Sequence, residues 1–163
     1  MKSEGFGLLR AKRKNSRKWL EGYYVRALET AGNNGVPAVR HYIIFQKANS
    51  SGRVCRAEVN PDTLCCCTGI RDKNLRLIFE HDIMRREIGG EDVIGEFVWS
   101  DIGLSGFFLE VTDKGRKSIT HSYPISRGEF DDDERNVNTD EIIGNIFDHP
   151  KMLKCRRWTR QAA

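Results

Sequence analysis

Between Trp19 and Arg26 the side chains alternate. Trp19, Glu21, Tyr23 and Val25 fall on one side of an extended chain, and Leu20, Gly22, Tyr24 and Arg26 on the other. A period of two is the signature of a strand with two unlike faces, and aromatic and β-branched residues suit it. The same alternation returns further on. Val93, Gly95, Phe97 and Trp99 share one face, and Ile94, Glu96 and Val98 the other. Nowhere does an apolar stripe repeat at helical spacing over any length.

The extended runs are short and bounded by turn residues. Leu8 to Lys12 and Lys18 to Leu28 flank Asn15-Ser16, which predicts a hairpin. Ala31 to Pro37, with Gly32, Asn33, Asn34 and Gly35, reads as a loop, and a strand follows from Val39 to Gln46. Ala48 to Arg53 is a turn and Val54 to Val59 a shorter strand. Asn60-Pro61-Asp62-Thr63 has the form of a helix cap with proline at the first helical position, with room for one turn. Leu64 to Cys67 resumes extended structure. A turn is expected at Thr68-Gly69 and again around Asp72-Asn74. Leu77-Ile78-Phe79, a polar corner at Glu80-His81-Asp82, and a strand from Ile83 to Ile88 come next. Gly89-Gly90 ends that strand. Further strands are expected over Val93–Ser100, Ser105–Val111, Lys117–Ile125 and Glu141–Phe147, with Thr112 to Gly115 as a hairpin turn and Val137 as an additional strand start. Residues 126–136 form a polar loop, and Lys151 to Cys155 turns helically. Many brief strands with little helix argue for an all-β sheet or barrel.

A chain of 163 residues supports one domain or two small units. A loose boundary falls near residues 64–68. At this length folding buries about 70% of the unfolded surface, so no disulfide or metal is required. No segment approaches the ~18 consecutive apolar residues of a membrane helix, and the N-terminus lacks the charged start and apolar run of a secretion signal. A soluble, intracellular protein without membrane contact is expected.

Charge adds a second layer. The net value of +4 is modest, but six of the nine residues from Arg10 to Lys18 are basic. Lys151, Lys154, Arg156, Arg157 and Arg160 form another basic stretch. Glu129, Asp131, Asp132, Asp133 and Glu134 form an acidic one. Lys12, Arg13, Lys14, Arg17 and Lys18 beside Trp19, with Tyr23 and Tyr24 nearby, are candidates for nucleic-acid contact, because phosphates need cations and unpaired bases stack on aromatic rings. Lysine and arginine at a hairpin tip also keep a sheet edge from aggregating. Opposite charges on separate segments leave head-to-tail homo-oligomerisation open.

Catalytic patterns are scarce. Glu80-His81-Asp82 contains suitable residue types, but neighbouring strand side chains diverge, so only the two acids share a face. His41, His121 and His149 are scattered, and neither HxxxH nor HExxH occurs. There is no P-loop, no GxGxxG and no nucleophile elbow. The five cysteines, Cys55, Cys65, Cys66, Cys67 and Cys155, include no CxxC pair and read as small apolar residues in a reducing compartment. In an extended chain Cys65 and Cys67 share a face and Cys66 takes the other. Neither enzymatic activity nor any cofactor or metal is expected.

Three segments carry a resemblance. Thr68 to Met84 resembles the central segment of the YopX-like family of phage and prophage proteins. Leu9 to Arg13 with Lys18 to Tyr23 resembles the family's opening, and Ile142 to Pro150 its closing. Asn60-Pro61-Asp62-Thr63 fits the stretch before the central segment. Together the matches span residues 8–153. Gly69, Asp72, Asn74, Glu80, Asp82, Gly144 and Pro150 are the structural motif residues this implies. Leu75 and His81 stand where the family has glycine, so both positions are expected to need unusual backbone angles. The resemblance further implies a mainly β protein in which residues 1–67 form a β-hairpin region packed on an SH3-like β-barrel of residues 68–155, followed by a tail over 156–163. It names no activity. The expected role is a non-enzymatic binding or interaction module in the cytoplasm of the bacterial host, with a phage or host protein as partner. A nucleic-acid-binding accessory protein that uses the basic hairpin is the alternative.

Overall fold

A computed structural model describes residues 7–31, 36–47, 52–88, 90–99, 106–113, 116–124 and 140–154. The protein is mainly β, with two antiparallel sheets and, among the described residues, only brief 3-10 turns at Pro61–Thr63 and Met152–Lys154. The chain divides into two compact units, Met1–Cys67 and Thr68–Ala163.

In the first unit, β1 (Leu9–Lys12), β2 (Trp19–Ala31), β3 (Val36–Gln46) and β4 (Val54–Glu58) are joined by the start of β5 (Cys65–Arg71). Their order is β4-β3-β2-β1-β5. Register fixes the faces. Ala11 lies across from Leu20 and Tyr24 across from Ile43, so this face is apolar and packs into a core around Ala11, Ile43 and Val59. Leu9, Leu20, Phe45 and Leu64 complete it. Gly22 is on the same face. A Cβ there would sit 2.1 Å from the Ile44 carbonyl oxygen, so only glycine lets the two strands approach this closely. The Asn60 side chain accepts from the Asp62 amide at 3.1 Å, capping the short turn that Pro61 opens. Thr63 Oγ1 then accepts from the Lys12 amide at 2.9 Å and ties that turn to β1.

β2 and β3 are longer than the sequence pattern implies. The expected loop from Ala31 to Pro37 contributes Val36 and Pro37 to β3, with Pro37 across from Thr30. Proline is tolerated because β4 covers β3 only from Tyr42 to Gln46, so the Val36 end is an edge. Residues 32–35 lie outside the described residues.

In the second unit, β6 (Leu77–Phe79) lies beside β5. β7 (Asp82–Ile88), β8 (Glu91–Trp99), β9 (Gly106–Asp113), β10 (Arg116–Pro124) and β11 (Glu141–Asn145) form a sheet in the order β10-β9-β8-β7-β11. Its core is Ile78, Met84 and Phe97, with Ile70 and Ile142 packed against them. The turn expected at Thr68-Gly69 is instead a kink inside β5. Gly69 has φ +76°, and Thr68 Oγ1 spans the kink by accepting from the Ile70 amide and donating to the Ile78 carbonyl. The strand therefore runs on to Arg71, and the reversal comes at 72–76. β11 stops at Asn145, two residues short of the expectation, because the Asn145 side chain accepts from the amides of Phe147 and Asp148 and turns the chain. Cys65 is buried and Cys66 exposed, as alternation requires. No helix among the described residues is long and apolar enough to cross a membrane. The acidic run Glu129–Glu134, Val137, Cys155 and the tail from Arg156 lie outside the described residues.

Candidate binding surfaces

The outer face of the first sheet carries Lys12 across from Trp19, Arg10 across from Glu21, Tyr23 across from Ile44 and Arg56, and Val25 across from Tyr42 and Glu58. Cations lie on two of its rings. The Arg10 guanidinium is 4.9 Å from the Trp19 ring centre and the Lys12 ammonium 5.3 Å. Arg56 sits 4.7 Å over Tyr42. Such stacks hold a cation at a fixed place on a surface. Tyr42 also donates to Glu29 at 2.9 Å, and burial together with that bond pushes its hydroxyl above the ordinary tyrosine range. Glu58 bonds Lys14 at 2.6 Å and Arg40 at 3.0 Å, and the Lys14 bond leads in holding its carboxyl below the usual value.

The six nucleic-acid candidates are brought together at one end of this sheet. Lys12 and Trp19 close the β1–β2 hairpin as cross-strand partners. Arg13 pairs with Val59 in an isolated bridge, and Arg13, Lys14, Arg17 and Lys18 are exposed around the turn. Residues 1–67 hold twelve basic and five acidic residues, a net +7, while residues 68–163 hold fifteen and eighteen, a net −3. Further along β2 and β3 the two-strand ribbon exposes apolar side chains on both faces. Tyr23 (64% exposed), Val25 and Val36 are on one, and Leu28 (71%) and Val39 (42%), which are cross-strand partners, on the other. Sequence alternation separated the faces correctly, but gave no sign that Leu28 and Val39 lie beyond the core.

The motif residues of the second unit do a different job. Asp72 is buried, and its side chain accepts from the amides of Asn74, Arg76 and Ile142 and from the Arg76 guanidinium at 2.6 Å. Burial alone would raise its pKa. The hydrogen bonds from Arg76, Ile142 and Asn74 outweigh it and hold the carboxylate below the ordinary range. One side chain thus closes the 72–76 loop and fastens it to β11. Leu75 in that loop has φ +63° and His81 at the next corner φ +67°. Asp82 caps this corner by accepting from the Phe79 amide at 2.9 Å, and Glu80, half-buried, completes it. His81 Nδ1 lies 2.7 Å from Glu96 Oε1, and its ring meets Phe147 edge-on. Gly144 leaves room for His149: a Cβ there would lie 2.8 Å from its Nδ1. Pro150 is exposed in the turn that follows.

Two ion-paired carboxylates escaped the sequence reading. Arg86 grips the fully buried Asp140 through two nitrogens, and Glu141 pairs with Lys73 and Arg85. The Lys73 and Arg85 bonds bring Glu141 down to about 2, and the Glu141 bond raises Arg85. Arg86 and Asp140 are 54 residues apart, so no local pattern signals them. Among the described residues no group of three His, Cys, Asp or Glu side chains is placed to hold a metal ion.

The model of the YopX protein family matches residues 9–154. The chain belongs to that family. Leu75 and His81 therefore occupy, in a YopX chain, left-handed positions that glycine takes without strain. The crystal structure of protein EF1440 from Enterococcus faecalis is similar to 89% of this chain and covers 96% of its own, at 20% identity and a TM-score of 0.41. No curated protein matches.

Proposed function

We propose that this YopX protein is a non-enzymatic binding module whose first unit makes the contact. The partner is a phage or host protein, met in the cytoplasm of the bacterial host. The exposed apolar ribbon of β2 and β3 carries this reading: Leu28 and Val39 continue the core face into solvent, while Tyr23, Val25 and Val36 do so on the other side. Paired ribbons with free edges and apolar faces are surfaces that other chains cover. The histidine and carboxylate side chains of the second unit support a structural rather than catalytic use, since His81, Glu96, Asp72 and Glu141 are engaged in loop and strand ties. We read that unit as an SH3-type barrel, supported by its short antiparallel strands and its polar corner; backbone NOEs closing the sheet would test this. To test the binding role, Leu28→Ser with Val39→Ser is compared with wild type in affinity capture from infected cells. The double variant loses a partner that wild type retains, with an unchanged unfolding midpoint. Identical capture by both proteins would refute the ribbon as the contact.

A second reading, a nucleic-acid-binding accessory protein, is favoured by one observation: the net +7 of the first unit, with Arg13, Lys14, Arg17 and Lys18 gathered at one turn. Gel shifts across salt test it. Affinity falls steeply with salt, and Lys14→Glu with Arg17→Glu abolishes the shift. No shift at low salt would rule it out.

A further inference from the structure

We infer that the outer face of the first sheet takes single-stranded nucleic acid, with Tyr23 as the residue on which a base stacks and Arg13, Arg17 and Lys18 as phosphate contacts; this rests on the nucleic-acid reading above. The sequence offers Trp19, Tyr23 and Tyr24 as stacking rings, and the structure narrows the choice to Tyr23. The Trp19 ring is already flanked by Arg10 and Lys12, and the Tyr42 ring is under Arg56. Tyr23 lies between them in the register and is exposed. Along β2 it is four residues from Trp19, about 13 Å at strand rise. Across the sheet it shares a row with Ile44 and Arg56, whose guanidinium is held in place on Tyr42.

Charge and shape then agree on one kind of ligand. Cations stand at both ends of this path, at the β1–β2 turn and at Arg56, which also pairs with Glu29 at 3.3 Å, and the exposed Tyr23 ring lies between them. Glu21 lies between Trp19 and Tyr23, directly across from Arg10, where its charge has a cationic neighbour. A strand with splayed bases can follow such a path, its phosphates near the cations and a base on the ring. In a duplex the bases are stacked inside and the ring has nothing to receive, so only the phosphate contacts remain.

The test is fluorescence anisotropy with a labelled oligonucleotide of about 16 nucleotides, single-stranded and as a duplex, over a salt series. Wild type binds the single strand more tightly than the duplex. Tyr23→Ala weakens single-strand binding about five- to 150-fold, leaves the salt dependence unchanged, and loses the preference over duplex. Tyr23→Phe keeps it. Arg13→Gln with Arg17→Gln lowers the slope of log affinity against log salt by about 1.4. Tyr23 is mostly exposed, so these variants fold. Equal binding of both forms, with Tyr23→Ala like wild type, overturns the stacking site while leaving an electrostatic nucleic-acid role standing. No binding at low salt overturns both. Salt-sensitive self-association in place of oligonucleotide binding, lost in the arginine variants, assigns the turn to an acidic protein surface and overturns the inference.

Discussion

The two units use charge in opposite ways. In the second, carboxylates turn inward: Asp72, Asp82, Glu96 and Asp140 are buried and hold loop ends, strand starts and a guanidinium. In the first, no carboxylate among the described residues is buried, and the cations stand on ring faces, around an open turn or, like Arg40, in pairs with the half-buried Glu29 and Glu58. A buried ion pair costs desolvation that a surface pair does not, and removing one partner leaves the other charge with nothing to balance it. Inward charge therefore specifies a fold, and outward charge is left to meet a partner.

The largest contrast is expected between Asp140→Ala and Lys14→Ala. The first strips Arg86 of its buried partner and destabilises by about 3–5 kcal/mol. The second removes an exposed pair with Glu58 and leaves the urea midpoint unchanged. Equal effects would erase the distinction. Next is Gly22→Ala, which forces β2 and β3 apart at the Ile44 carbonyl and costs about 1–3 kcal/mol by thermal unfolding.

Acid acts on Glu58 in the first unit too, but Glu141 in the second is the carboxylate brought down to about 2. Glu141 and Asp72 have folded pKa values below their unfolded ones, so their contribution is complete above the unfolded value. For Glu141 it is lost as pH falls from 4.5 through about 2. Tryptophan fluorescence and amide exchange against pH should show the loops at 72–76 and 140–142 loosening first over that window. Opening that begins in β2 and β3 would contradict the ordering.

The smallest effect concerns the two left-handed residues. Leu75 is 74% exposed, so Leu75→Gly removes strain with little loss of packing and stabilises by about 0.5–1 kcal/mol. His81→Gly relieves the same strain but gives up the contact with Glu96, and falls short of that gain. Unfolding midpoints measured side by side decide the sign.

Local chemistry explains what was legible. Alternation assigned both faces of β2, the Asn60 cap was readable from four residues, and the family glycine positions foretold the backbone at Leu75 and His81. Long-range ties were not readable. Asp72 to Ile142, and Arg86 to Asp140, join segments that sequence proximity never brings together. At the candidate site the basic cluster was visible, whereas the covering of Trp19 by its own neighbours was not. Tyr23 was named beside Trp19 and Tyr24, but its exposure, set against the cations lying on the Trp19 ring, is visible only in the structure.

Amide hydrogen exchange of the whole chain, with and without a saturating single-stranded oligonucleotide, tests the division most directly. Protection should rise in β1, in Trp19–Val25 of β2 and in β4, while residues 72–86 and 140–145 stay unchanged. Protection centred on the second unit, with the first indifferent to ligand, would contradict it.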